Sequence, residues 1–190
     1  MIQWATGAQG TETIRAIANR ADLELVGGWV HTPAKAGQDL GVLAGIDPIG
    51  VTATMSLDEI CALDADCVTY MPRNTSLDEV CALLASGKNV VTTAFLFFPR
   101  ALPADDLARL EAACAEGGSS IHASGLNPGN LSGVLPLALS GMSRSIERIS
   151  LQERADWSFY ESTFITFDNM RFGRAPEESE ASKERKGGAA

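Results

Sequence analysis

Near the start of the chain the sequence runs Thr6-Gly7-Ala8-Gln9-Gly10-Thr11, with an apolar stretch before it and a helix-forming one after it. That spacing suits phosphate binding. Gly7 can take backbone angles that a Cβ would forbid. Gly10 lets the main chain come close to a pyrophosphate, and the N–H groups and positive dipole end of the next helix hold the phosphates. Gly7, Ala8, Gln9, Gly10 and Thr11 are therefore the expected phosphate cradle. The pattern is Gly-x-x-Gly-x-x-Thr, with Thr13 in the third glycine position. Thr6 and Thr11 carry hydroxyls that either donate to a phosphate or cap the turn. An ordinary strand-to-helix turn is the competing reading.

A second group of residues bears on which dinucleotide such a turn would hold. An acid about 20 residues past the glycines would bind the ribose 2′-hydroxyl and repel a 2′-phosphate. That place holds His31 and Thr32, with Lys35 close behind and no carboxylate. A cation and a hydroxyl suit a 2′-phosphate. The expected cofactor is NADP, with NAD as the alternative; the competing reading of Lys35 is a solvated loop lysine. Met71, Pro72 and Asn74 end a later strand and are expected at the adenine or the nicotinamide ribose. Thr93, beside Thr92, and Asn127 are expected at the nicotinamide, Asn127 through its amide. His122 reads as a core histidine, and Glu153 and Asp156 as a solvated face. Phe95, Phe97 and Phe98 read as core or interface aromatics, or else as an apolar wall over the substrate. No catalytic acid or base is identified.

These residues need elements to carry them. Apolar strands are expected at 2–5, 23–30, 50–54, 66–71, 88–93 and 119–124. Between them lie helices at 11–20 and 103–116, with a loop or weak helix at 34–43. Two more helices start with the same words, Ser56-Leu57-Asp58-Glu59 and Ser76-Leu77-Asp78-Glu79. Each is a capping box, in which the serine oxygen accepts from the N3 amide and the N3 glutamate reaches back to the cap. Short apolar strands alternating with helices predict an α/β fold, a doubly wound and mainly parallel sheet of Rossmann type. Ligands then sit outside the carboxyl ends of the strands. Past Gly125 a turn at 126–130, a helix at 131–142, a strand at 146–153 and a helix at 158–172 are expected. Phe159, Phe164 and Met170 anchor that last helix. Residues 173–190 are polar and expected to be disordered. The domains are thus 1–125 for dinucleotide binding, 126–172 as an incomplete α+β domain, and 173–190 as a tail.

Composition narrows the partners. The net charge is -9 over 190 residues. Nucleic acid and anionic membranes need clustered Lys and Arg, so neither is an expected partner. No apolar run reaches the roughly 20 residues of a membrane span, and no basic leader precedes the first strand. Cys61, Cys67, Cys81 and Cys114 lack Cys-x-x-Cys spacing. Reduced thiols in a cytoplasmic protein are expected, with no metal.

Taken in order, several stretches resemble the dihydrodipicolinate reductase-like superfamily. They are Gln3-Trp4-x-Thr6-Gly7-Ala8-x-Gly10, Leu25-Val26-Gly27, Lys35-x-Gly37-x-Asp39-x-Gly41 and Gly50-Val51-x-Ala53-Thr54. Next come Ala65-Asp66-Cys67-Val68-x-Tyr70-Met71-Pro72, Asn89-Val90-Val91-x-Thr93, Gly125-x-Asn127-Pro128-Gly129 and Phe172-Gly173-Arg174-x-Pro176-Glu177. The branch they are most similar to contains NAD(P)-dependent amine dehydrogenases and 2,4-diaminopentanoate dehydrogenase. The resemblance implies a Rossmann domain followed by an α+β domain that covers the nicotinamide and pairs sheets in a dimer. It implies hydride transfer between a nicotinamide and an imine or amine, or a related carbonyl substrate. The glutamate that the amine dehydrogenases use after the fifth strand falls at Phe95 or Leu96 here, and the His-His and Lys segment of lysine-pathway reductases is absent. A dinucleotide-binding module without turnover is the alternative. The expected partners are a small-molecule substrate and a second copy in a homodimer through the second domain, where 146–151 offers an open edge.

Overall fold

Alternation puts Ile2 and Trp4 on one face of the first strand and Gln3 on the other, and all three are buried. That is the mark of a central strand in a sheet covered on both faces. The structure, a computed structural model, describes residues 1–160, 162–175 and 177–178. It divides into two compact units, Met1–Glu147 and Arg148–Ala190.

In the first unit, β1 (Ile2–Trp4) leads through the glycine turn into α1 (Ala8–Ala18). Then follow β2 (Gly27–Trp29), α2 (Leu40–Leu43), β3 (Ala53–Thr54) and α3 (Leu57–Ala62). The second half adds β4 (Cys67–Tyr70), α4 (Leu77–Ala85), β5 (Asn89–Thr92), α5 (Ala104–Gly117) and β6 (Ile121–Ala123). The six strands lie in the order β3-β2-β1-β4-β5-β6, and every pairing is parallel. This is the expected doubly wound α/β sheet, with its reversal of order between β1 and β4. Ile14, Ile17 and Leu40 of α1 and α2 build the core on one face. Ile60, Val80, Leu83, Leu84 and Leu110 of α3, α4 and α5 build it on the other. The two glycines of β2 permit close layers. A Cβ on Gly27 would stand 2.3 Å from Leu63 Cδ1, and one on Gly28 would stand 2.6 Å from Leu40 Cδ1.

Several elements differ from expectation. The first helix begins three residues earlier, at Ala8, so Gly10 lies inside its first turn. The second strand is shorter, Gly27–Trp29, and so is the third, because Gly50 turns the chain with φ +78° and only Ala53 and Thr54 join the ladder. His122 is exposed rather than in the core, because β6 has a neighbour on one side only. The segment Leu126–Val134 keeps non-helical angles at Asn127, Pro128 and Gly129 and leads into α6 (Leu135–Ser140). No strand forms over 146–153. Ile146, Ile149 and Leu151 are exposed, and a lone strand without a partner does not hold, so the open edge expected there is absent among the described residues.

In the second unit, the helix expected over 158–172 is two short pieces, Trp157–Phe159 and Phe164–Asn169. Trp157 packs its ring 4.7 Å from Tyr160 and 5.0 Å from Phe172. Phe159 and Met170, expected as anchors, are exposed, and the Phe164 side chain lies outside what is described. Most of the tail expected from 173 onward also lies outside the described residues. No helix is long and apolar enough to cross a membrane among them.

Candidate cofactor site

The carboxyl ends of β1, β2 and β4 enclose a cleft of about 630 Å³. It lies at the point where strand order reverses, the place where open α/β sheets take ligands. Register brings Trp4 opposite both Trp29 and Tyr70. Trp4 stacks on Trp29 with ring centres 4.5 Å apart and planes 5° apart, and His31 follows at 5.8 Å from Trp29. Trp29 Nε1 donates to the Met55 carbonyl at 3.1 Å. The Trp29 ring, which lines the cleft, is therefore held from both its face and its edge.

The floor of the cleft is the turn after β1. The Ala5 N–H extends the ladder to the Trp29 carbonyl at 2.9 Å, and Ala5 then takes φ 73°. Gly7 has ordinary extended angles, φ −77° and ψ −172°. The left-handed residue is thus Ala5, whereas the sequence pattern points to Gly7. Gly10 is buried, and a Cβ there would fall 2.0 Å from the Ala5 carbonyl oxygen. Its smallness serves strand–helix contact rather than approach to a ligand. Gly7 is the open position, with nothing within 4 Å of an added Cβ. No side chain caps α1, and its first turn holds no acid, so its first N–H groups have no internal partner. Ala8 and Gln9 are exposed on that first turn. The Thr11 hydroxyl donates back to the Gly7 and Ala8 carbonyls at 3.2 and 2.9 Å, so its proton is turned into the helix and leaves the first N–H groups uncapped. Thr13 bonds the Gln9 carbonyl at 2.9 Å and meets Met71 Sδ at 3.3 Å.

From β2, His31 and Thr32 are exposed at the cleft. Lys35 ends a 3-10 turn, Pro33–Lys35, and reaches back across the cleft mouth. Its ammonium donates to the Thr6 carbonyl at 2.9 Å and to the Thr6 hydroxyl at 3.1 Å. The reading of Lys35 as a solvated loop lysine does not hold. Two of its three protons are taken, which leaves one for a ligand.

From β4, Met71, Pro72, Arg73 and Asn74 form the opposite wall, ending at Ser76 and Glu79 of the α4 start. Ser76 Oγ accepts the Glu79 N–H at 3.3 Å, as the capping box requires. The return contact runs through a third group: the Tyr70 hydroxyl accepts the Ser76 N–H at 3.0 Å and donates to Glu79 Oε2 at 2.9 Å. Burial, with the adjacent Glu79 carboxylate adding to it, pushes the Tyr70 phenol far above its usual range, so it stays a neutral donor. Among the described residues Glu79 is the one carboxylate lining the cleft, against Lys35 and Arg73. A chain of net charge -9 thus turns a predominantly cationic lining toward this space.

The cleft therefore gathers Gly7, His31, Thr32, Lys35, Met71, Pro72 and Asn74. Ala8, Gln9, Gly10 and Thr11 belong to the adjoining helix turn. Thr93, just after β5, and Asn127, in the Asn127–Pro128 cis turn, are not among the residues that line it. Trp29, Arg73, Ser76 and Glu79 were not foreseen as site residues. Arg73 sits between two residues that were, and that adjacency was its only signal.

With this geometry in view, the comparison with known proteins is direct. The family model for the N-terminus of dihydrodipicolinate reductase matches residues 1–117. The chain belongs to this family. An amine dehydrogenase of Streptomyces virginiae is 36% identical over 179 residues, which is 90% of this chain and 49% of the relative. A 4-hydroxy-tetrahydrodipicolinate reductase of Synechocystis is 38% identical over 63 residues, 33% of this chain and 23% of the relative. The chain therefore spans about half the length of the first relative and less of the second. Among solved structures, an amine dehydrogenase from Mycobacterium smegmatis aligns with TM-score 0.70 and 20% identity over 76% of this chain and 44% of that one. A Synechocystis biliverdin reductase in complex with biliverdin and NADP+ aligns with TM-score 0.50 and 20% identity, over 65% of this chain and 36% of that one. At this identity the two likenesses show a shared fold, the doubly wound parallel sheet described above.

Proposed function

We propose that this member of the dihydrodipicolinate reductase family is the dinucleotide-binding part of an NAD(P)H-dependent oxidoreductase acting between an imine and an amine, or on a related carbonyl substrate. The observation that carries the reading is the open α1 start at Gly7, set at the strand-order reversal and facing Lys35 and Arg73. The donor set fits a dinucleotide. Unpartnered helix N–H groups and a free ammonium proton suit its phosphates, and the fixed Trp29 ring offers a flat apolar face. A bound nicotinamide would supply the hydride chemistry. NADP is preferred to NAD, because His31 and Thr32 replace the carboxylate that would repel a 2′-phosphate.

A second reading, dinucleotide binding without turnover, is favoured by one contact. Phe95 and Leu96, one of which stands where related amine dehydrogenases are expected to place a glutamate, both pack against the core, Phe95 edge-on to Tyr70 at 6.3 Å. They therefore supply packing and no base. The protein is further proposed to be cytoplasmic and to pair as a homodimer. Leu137 and Met142 are 73% and 79% exposed, and apolar patches of this kind mark contact surfaces.

The test is a titration of the purified chain with NADPH and NADH, read by quenching of tryptophan fluorescence, followed by NADPH oxidation with a panel of imines. NADPH is expected to bind more tightly than NADH. Binding of neither overturns the dinucleotide reading. Tighter NADH binding overturns the NADP preference alone, and binding without oxidation of NADPH selects the second reading.

A further inference from the structure

Beneath the glycine turn lies a buried amide, Gln3, that the assignments above leave without a role. It is fully buried, 0% exposed, on the face of β1 opposite Trp4. Its Nε2 donates to the Trp4 carbonyl at 3.0 Å and to the Ala5 carbonyl at 2.9 Å. Its Oε1 accepts the Thr69 hydroxyl at 2.6 Å, from the neighbouring strand β4. Both amide protons are used, and the acceptor side is used too. Reversing the amide would set its oxygen against two carbonyls, so those carbonyls fix which way it points, and the Thr69 hydroxyl, which also lies 3.2 Å from the Ile2 carbonyl, satisfies the amide oxygen.

We propose that Gln3, anchored by Thr69, is the positioning residue of the dinucleotide turn. The argument starts at Ala5. A residue with a Cβ at φ 73° is strained against the right-handed region. The same residue must leave the ladder with β2 and send the chain upward into Gly7. Gln3 holds the Ala5 carbonyl at the point where Gly10 closes over it, with an added Gly10 Cβ only 2.9 Å from Gln3 Nε2. One side chain therefore ties the strand end, the left-handed residue and the first turn of α1 together. Without it the Trp4 and Ala5 carbonyls each lose a donor at a buried to part-buried place, and the turn relaxes by moving. The N–H groups at the α1 start move with it. Binding geometry then suffers although no contact to the ligand has been removed. This proposal rests on the dinucleotide reading of the cleft.

The experiment compares NADPH dissociation constants and unfolding temperatures for the full chain and three variants, all titrated well below unfolding. Gln3→Leu is expected to weaken NADPH binding about tenfold or more. Thr69→Val, which keeps the amide but removes the donor to its oxygen and so loosens its anchor, is expected to weaken binding about threefold, and Thr69→Ser to restore it. A merely structural role would lower the unfolding temperature and leave the dissociation constant of the folded protein unchanged, and that result overturns the proposal. Should Gln3→Leu fail to fold, the Thr69 pair decides alone, since equal affinity in Thr69→Val and Thr69→Ser overturns it. A wild-type chain that binds no dinucleotide removes the cofactor reading and this proposal with it. Unchanged affinity in folded Gln3→Leu removes this proposal only.

Discussion

The starts of α1 and α4 border the same cleft and are built in opposite ways. At α4 the local donors and acceptors are matched internally. Ser76 takes the Glu79 N–H, the Tyr70 oxygen takes the Ser76 N–H, and Asp78 and Glu79 face the dipole from the first turn. The start of α3, which does not line the cleft, repeats this scheme. Ser56 Oγ takes the Glu59 N–H at 3.1 Å, and the Thr54 hydroxyl links the Ser56 N–H to Glu59 as Tyr70 does at α4. At α1 there is Gly7, no side-chain cap and no acid. A sealed start has nothing to offer an anion; an open one keeps its N–H groups and its dipole available. The difference between Ser-x-x-Glu and Gly-x-x-Gly is thus the difference between a wall of the site and its binding element.

The contrast breaks most visibly at the two glycines of α1. Gly10→Ala puts a Cβ 2.0 Å from the Ala5 oxygen and 2.9 Å from Gln3 Nε2, neither able to give way. We expect a loss of about 3 kcal/mol or more, seen as a collapse of the urea midpoint. Gly7→Asp makes the opposite test, because it gives α1 the kind of cap that α2 has. With nothing near an added Cβ and an extended backbone, stability should stay level or rise by a few tenths of a kcal/mol. The new carboxylate would occupy the N–H groups and repel phosphate, so NADPH affinity should fall about a hundredfold. A Gly7→Asp chain that still bound NADPH like the parent would show that the open start is not the binding element.

Much of this contrast was legible before any coordinates. Both Ser-Leu-Asp-Glu starts were recognisable as caps because an N-cap hydroxyl and an N3 carboxylate act within one helical turn. The parallel sheet was legible because short, mostly apolar strands alternate with helices along the chain. Gly7, His31, Thr32, Lys35, Met71, Pro72 and Asn74 come together because each follows the carboxyl end of a strand flanking the order reversal. What depended on distant partners was not legible. The sequence suggests a positive φ at Gly7, yet the left-handed residue is Ala5, and only Gln3 and Gly10 packed around its carbonyl explain that. The return arm of each capping box passes through Thr54 or Tyr70, which stand at different distances along the chain from their serines. The strand expected at 146–153 had a partial period-two pattern, but a ladder needs a neighbour, and no local pattern supplies one.

The smallest effect sharpens the comparison through pH. The start of α2 is sealed by one carboxylate. Asp39 Oδ1 accepts the N–H groups of Gly41, Val42 and Ile49 at 2.8, 3.3 and 3.1 Å, and Oδ2 accepts that of Gly50 at 2.7 Å. Partial burial opposes the charge, but the four N–H groups outweigh it and hold the Asp39 carboxyl below its ordinary value. A depressed carboxyl contributes stability that is fully present above its unfolded pKa of about 3.9 and is lost as pH falls through the folded value. Unfolding midpoints of the wild type and of Asp39→Asn should therefore differ at pH 7 and converge below about pH 4. A gap that stayed constant down to low pH would mean that the carboxylate's charge does not seal this helix start. The α1 start has no titrating group of its own, since neither its cap nor its first turn contains an acid. Its stability should not share this acid-dependent step, and whatever charge fills it must come with a ligand.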